Sequence, residues 1–245
     1  MKRILLAAAA AFLAGGAAAQ PVSGTIELVS VPGGCFQMGN EIGERHERPV
    51  HEKCVEPFAM GRFEVTQTQW QAAMGSNPSK FAGCADCPVD SVSWEDVQVF
   101  LGKLNSENQG RWRLPTEAEW EYACRSGGRD EIWPGGVGPA EVSRIAWFNK
   151  QEAANMTHPV GKKEPNGLGL HDMAGNVWEW TQDTFTSPYN ATADVKDAKL
   201  ESKRVIRGGS WDGKVNYVRC GIRNRYETSR RDTRIGFRVV REIAK

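Results

Sequence analysis

Six cysteines lie downstream of what reads as an export signal, and that combination constrains the fold more than any other feature. Lys2 and Arg3 form a positive start, Ile4 to Leu13 is a short apolar run, and Ala17-Ala18-Ala19 fits a small-residue cleavage site. The apolar run is too short and too rich in Ala for a good membrane span, although an uncleaved anchor is the alternative. No Cys follows the expected cut, so a lipoprotein is not indicated. The expectation is a periplasmic or secreted protein with signal peptide 1–19 and no membrane span after cleavage. An even number of cysteines in an oxidising compartment favours disulfides over free thiols. Cys84 and Cys87 form a C-x-x-C. A redox motif and half a zinc site are the sharper readings; a local disulfide closing a loop is the plainer one. A zinc site would need a second paired motif, which the sequence lacks.

The chain carries 31 basic and 30 acidic residues, which gives no electrostatic case for nucleic acid. Its 26 glycines and nine tryptophans suggest a loop-rich domain pinned by aromatic anchors. With 245 residues and no linker or repeat, it reads as one α+β domain from about residue 24 to 243. Ile26 to Met38 reads as strand, turn and strand around Pro32-Gly33-Gly34. Phe58 to Thr66 reads as a strand leading into a helix over Thr68 to Met74. Ser93 is placed to cap a helix with Asp96 at its third position, and Thr116 with Glu119 forms a second capping box. Ser126 to Glu164 is expected to be irregular, Thr184 to Lys203 an exposed loop, and Val205 to Trp211 and Gly236 to Val240 strands.

Several separate blocks resemble the formylglycine-generating enzyme (sulfatase-modifying factor) family. They are Pro32–Gly39, Phe63–Gln67, Pro88–Trp94, Arg113–Arg125, Pro165–Leu170, Asp172–Trp180, Arg207–Trp211 and Gly236–Arg238. They occur in family order and cover nearly all of the chain after the signal. The resemblance implies an elaborated C-type-lectin-like fold. It also implies a disulfide between Cys124 and Cys220, a bridge worth about 4–5 kcal/mol on the chain-entropy view. Cys35 with Cys54 is then the expected third bridge.

Members that generate formylglycine oxidise a substrate Cys with two nearby Cys that bind copper(I), a soft metal suited to thiolates. In the family these follow the Gly-Gly-Ser-aromatic strand. The corresponding Trp211–Arg219 stretch has no Cys, and the first family position falls near Gly213. Copper is therefore not expected, and iron is the redox metal left open. Ser210 and Trp180 match family positions lining the active-site groove; the alternatives are a tied-down turn and a core filler. Trp211 with Arg207, Arg219 and Arg223, and Arg225 beside them, suggests an anion-binding patch, since Arg pairs bidentately with carboxylate or phosphate. These Arg could instead pair internally with Glu179, Asp183 or Asp232. The resemblance implies a structural calcium wrapped by the 175–179 segment, held by Glu179 and backbone oxygens of Ala174, Gly175 and Val177. A buried Glu179 paired with Arg is the alternative.

His46 and His51, with Glu44, Glu47 and Glu52, could form a metal loop or a solvated one, and His158 and His171 have no obvious partner. Sulfoxide synthases of ergothioneine synthesis share the domain but carry their iron ligands on an extra helical domain for which this chain has no room. The function expected is an exported binding or accessory protein acting on a small molecule or exported protein. The alternative is a periplasmic oxidoreductase with a divergent metal site, as in pyoverdine maturation. A true formylglycine-generating oxidase comes third.

Overall fold

Alternating apolar residues on both sides of the Pro32-Gly33 turn produce the first two strands, β1 (Leu28–Val31) and β2 (Gly34–Met38). The computed structural model describes residues 25–106, 110–187, 189 and 202–243. Signal segment 1–19 lies outside these residues, as does 190–201 of the expected polar loop. β2 pairs antiparallel with β3 (His51–Val55), and the register puts Cys35 directly opposite Cys54. The two form a disulfide. The chain then enters β4 (Phe58–Gly61), every residue of which is buried.

Three helices follow, and each starts where a local side chain satisfies the free backbone N–H groups. Helix α1 (Gln67–Met74) is capped by Thr66, whose side chain accepts from the Gln69 N–H while Gln69 returns the bond. It ends at Gly75, which is left-handed. Helix α2 (Trp94–Ser106) begins at Ser93: the Asp96 N–H donates to Ser93 Oγ at 3.1 Å, and the Ser93 N–H donates to Asp96 Oδ2 at 2.9 Å. Helix α3 (Glu117–Cys124) starts on the same box between Thr116 and Glu119. All eight of its residues are buried, so it runs through the interior.

The remaining strands are β5 (Trp112–Arg113), β6 (Trp178–Thr184), β7 (Lys203–Arg207), β8 (Arg223–Glu227), β9 (Ile235–Gly236) and β10 (Val240–Glu242). One sheet has the order β1-β4-β10-β5 and the other β8-β7-β6-β9, with β9 parallel to β6. The expected strand over Gly236 to Val240 is thus two short strands in different sheets. Residues 237–239 cross between them, with the Val65 N–H donating to the Phe237 carbonyl on the way. The strand expected over Val205 to Trp211 stops at Arg207, because Gly208 and Gly209 both take positive φ. The stretch after Arg125 is irregular up to Glu164, as its composition suggests, with short 3-10 turns and an isolated bridge from Trp147 to Gly175.

One apolar cluster packs α1 and α2 against the β6–β9 side. There Trp70 stacks on Phe100 at 5.3 Å and both meet Phe237 edge-on. A second surrounds α3, with Phe36, Phe58, Met60, Leu170 and Met173 around the Cys124–Cys220 disulfide. A third places Val218 against Trp133, Val142 and Ile145. No described helix is long and apolar enough to cross a membrane.

Gly175 joins these layers. Its φ is +76°, and a Cβ built there would overlap the Trp147 carbonyl. The Gly175→Ala variant should therefore lose at least about 2 kcal/mol of unfolding free energy, from left-handed strain plus the clash. Urea denaturation measures it, and a loss under about 0.5 kcal/mol would contradict the close approach.

Candidate functional site

Glu117 and Glu121 lie four residues apart on α3 and so point from one face of the helix. That face meets β7 and β8. Arg207 donates to Glu117 at 3.0 Å, to a Glu121 oxygen by a short bond, and to the Cys220 carbonyl at 2.7 Å. Arg223 grips Glu117 with two nitrogens, both at 2.7 Å, and also donates to the His46 and Thr186 carbonyls. Arg125 donates to Glu121 at 2.9 Å. Arg219 makes a separate bidentate pair with buried Glu47, at 2.8 and 3.0 Å. Burial opposes ionisation of Glu121, but the charges of Arg207 and Arg125 outweigh it and hold its carboxyl below the ordinary range. Burial opposes the charge on Arg207 too, yet the facing Tyr189 and carboxylates hold it firmly protonated.

These pairs correct the expected anion patch. Arg207, Arg219 and Arg223 are buried and hydrogen-bond to protein carboxylates and carbonyls, and the Arg207 Nε is buried without a partner among the described residues. The internal alternative was right in kind but named the wrong partners. Asp183 accepts from the Glu117 N–H at 2.6 Å and caps α3, while Asp232 binds Arg230 and Arg234. Arg225 lies on the surface over Phe185.

The groove positions come out divided. Trp180 is fully buried, and its indole N–H donates to the Val92 carbonyl at 3.0 Å, so it fills the core. Ser210 opens a tight turn in which its hydroxyl donates to Asp212 Oδ1 at 2.7 Å. Trp211 packs edge-on against Phe81 at 5.7 Å and donates to the Thr233 carbonyl at 3.3 Å. The Gly213 carbonyl accepts from the Asn149 N–H at 2.7 Å, which fixes the far end. Arg234 reaches Asp212 at 3.5 Å. The turn therefore presents mixed charge beside an aromatic pair, and it holds no thiol. All six cysteines are bonded, as Cys35–Cys54, Cys84–Cys87 and Cys124–Cys220.

The histidines are dispersed. His46 packs near Phe185 and His51 near Tyr189. His158 stacks on Trp147 at 3.9 Å, and His171 contacts the Lys163 carbonyl at 2.8 Å. Burial and the nearby Arg223 charge lower the pKa of His46. Among the described residues no three His, Cys, Asp or Glu side chains form a metal-holding group.

The 174–179 segment, where calcium was expected, adjoins a buried acidic cluster. Glu179 is fully buried; Arg238 donates to both its oxygens at 2.7 Å, and the Trp120 indole N–H donates at 2.7 Å. This is the paired-Glu alternative, so Glu179 could reach a cation only by sharing its carboxylate with Arg238. Glu64 accepts from the Asn176 amide and the Val177 N–H. Burial, then the charges of Asp172 and Glu179, pushes the Glu64 carboxyl well up. Asp172 accepts from the Gly161 N–H through Oδ2, while its buried Oδ1 has no hydrogen-bond partner. Burial pushes the Asp172 carboxyl up to about 6, against the pull of that N–H and of Arg238. Sequence reasoning did not single out Asp172, Glu64, Glu117 or Glu121, and it named Glu47 only as part of a possible metal loop, not as the partner of Arg219. The four-residue spacing of Glu117 and Glu121 in a capped helix was the available signal.

Fold and site together define an elaborated C-type-lectin-like domain with the formylglycine-generating framework but no free thiol. The sulfatase-modifying factor enzyme 1-like domain matches residues 14–243, and the chain belongs to that family. It is 31% identical to the formylglycine-generating enzyme of Streptomyces coelicolor, over 93% of this chain and 92% of that one. Among solved structures, Treponema denticola variable protein 1 superposes with a TM-score of 0.79 at 29% identity, covering 91% of this chain and 98% of that one. PvdO from Pseudomonas aeruginosa gives 0.75 at 28% identity, covering 91% and 100%.

Removing Arg207 takes one of two guanidinium partners from each of two buried carboxylates. Arg207→Ala should lower the unfolding free energy by about 3–5 kcal/mol, read by urea denaturation. A loss below about 1 kcal/mol would show that Arg223 and Arg125 alone neutralise α3.

Proposed function

We propose that the chain is an exported binding or accessory protein on the formylglycine-generating framework, without the copper-thiolate chemistry of that family. One observation supports this above the rest: every cysteine is in a disulfide, and the Ser210–Arg219 stretch offers hydroxyl, carboxylate, amide and indole groups where the family's copper ligands lie. Copper(I) needs soft donors, and two bonded sulfurs are not thiolates. The internally paired Arg remove a large anion from the candidate ligands. A small molecule or another exported protein remains the partner class. Titration of the unreduced protein with copper(I) against a chromophoric copper(I) chelator tests the reading. No uptake, and no mass change in a Cys-containing peptide, is expected; stoichiometric uptake with peptide oxidation would overturn it.

A second reading, an exported oxidoreductase with iron at a divergent site, draws on the likeness to PvdO. Stoichiometric iron in protein purified without chelator would favour it.

Calcium belongs to the proposal in altered form. The orphaned Asp172 Oδ1, with three buried carboxylates facing the single guanidinium of Arg238, suits a hard cation held by Asp172 and backbone oxygens of the 174–177 turn. Calcium would supply only charge and anchoring there. Without it, the raised Asp172 carboxyl makes the folded state bind its proton more tightly than the unfolded chain does. That contribution is full below the ordinary value of 3.8 and is lost as pH rises through about 6. In chelator, thermal stability should therefore fall from pH 4 to pH 6 through this group. Calcium should raise the melting temperature at pH 7, and Asp172→Asn should reduce both effects. No calcium response at pH 7 would remove the ion from the account.

A further inference from the structure

A cavity of about 270 Å³ opens between the end of β2, the loop that follows it and the segment after α3. None of its lining residues belongs to the Ser210–Gly213 turn, and it is independent of any redox activity. The apolar part of its lining is Ile42, Val50 and Ile132. Ile42 is 82% exposed, an unusual position for so large an aliphatic side chain. The acidic part is Glu41 and Asp130. One Glu41 oxygen accepts from the Val50 N–H at 2.8 Å, and its other oxygen makes no hydrogen bond to the described residues. Among the described residues no Lys, Arg or His forms an ion pair with either carboxylate. Arg125 also lines the cavity, but its guanidinium is turned inward, to Glu121 and to the Glu131 and Gly39 carbonyls.

We propose that this cavity binds an alkylammonium group, the carboxylates taking the charge and the isoleucines the chain. The volume lies just below the usual range for drug-sized ligands, which selects a short aliphatic amine or a single lysine side chain. A hydrated divalent cation would use the carboxylates and leave Ile42 and Ile132 exposed. An apolar alcohol would do the reverse. An amine on an alkyl chain uses both parts of the lining.

Ligand-detected NMR and calorimetry with the full exported chain test this, using hexylammonium, hexanol and hexanoate as probes. Hexylammonium should saturate, hexanol should bind several-fold more weakly, and hexanoate should not bind. The double variant E41Q/D130N should weaken hexylammonium by about fivefold or more and leave hexanol unchanged, since two exposed charges are lost and no apolar surface. Both positions are exposed, so the melting temperature should hold. Ile42→Ser should weaken hexylammonium and hexanol together. Nα-acetyl-lysine methylamide separates the two sources: binding equal to hexylammonium points to a lysine side chain, and binding only by hexylammonium points to a free amine. Equal affinity for hexanol and hexylammonium, or an unchanged affinity in E41Q/D130N, would overturn the proposal.

Discussion

The pairing of two α3 carboxylates with guanidinium groups from β7, β8 and the helix's own C-terminal end holds this molecule together. Helix α3 is eight residues long and buried on every side, yet it carries Glu117, Glu119 and Glu121. An isolated carboxylate at such a depth would not remain ionised. Arg207, Arg223 and Arg125 make the burial tolerable, and in doing so they fix β7, β8 and the end of α3 relative to one another. The Cys124–Cys220 disulfide ties the same two regions covalently, and the Cys220 carbonyl accepts from Arg207. Removing one partner from such a network is far more damaging than the net worth of the pair suggests.

That network explains which parts of the structure were legible in the sequence. Helix starts were legible because their chemistry is local: Thr66 with Gln69, Ser93 with Asp96 and Thr116 with Glu119 lie three residues apart. The Cys84–Cys87 bridge is equally local. The arginine partners were not legible. Glu121 and Arg207 are 86 residues apart, and Glu47 and Arg219 are 172 apart, so spacing carries no signal. The residues around Phe237 read as one strand, yet tertiary pairing assigns Gly236 to one sheet and Val240 to the other. Strand β8, with the sequence RNRYE, lacks the apolar alternation that marks a half-buried strand.

The family resemblance carried the fold and the Cys124–Cys220 bridge, but a framework does not transfer its chemistry. Residues matched to the groove separate into a core tryptophan, Trp180, and a tight turn in which Ser210 and Trp211 are themselves buried. Of the arginines that sequence reasoning offered to a ligand, Arg207, Arg219 and Arg223 are internal struts and Arg225 lies on the surface. What the turn retains is an aromatic pair and the opposed charges of Asp212 and Arg234.

The most direct test of the central claim is the thiol count of the unreduced protein, in the native state and after denaturation, with disulfide mapping of the same sample. The account predicts no titratable thiol in either state and the pairs Cys35–Cys54, Cys84–Cys87 and Cys124–Cys220. Two accessible thiols in the native protein, or a labile pair that reduces ahead of the others and then takes up copper(I), would contradict it and restore a thiolate site to this framework.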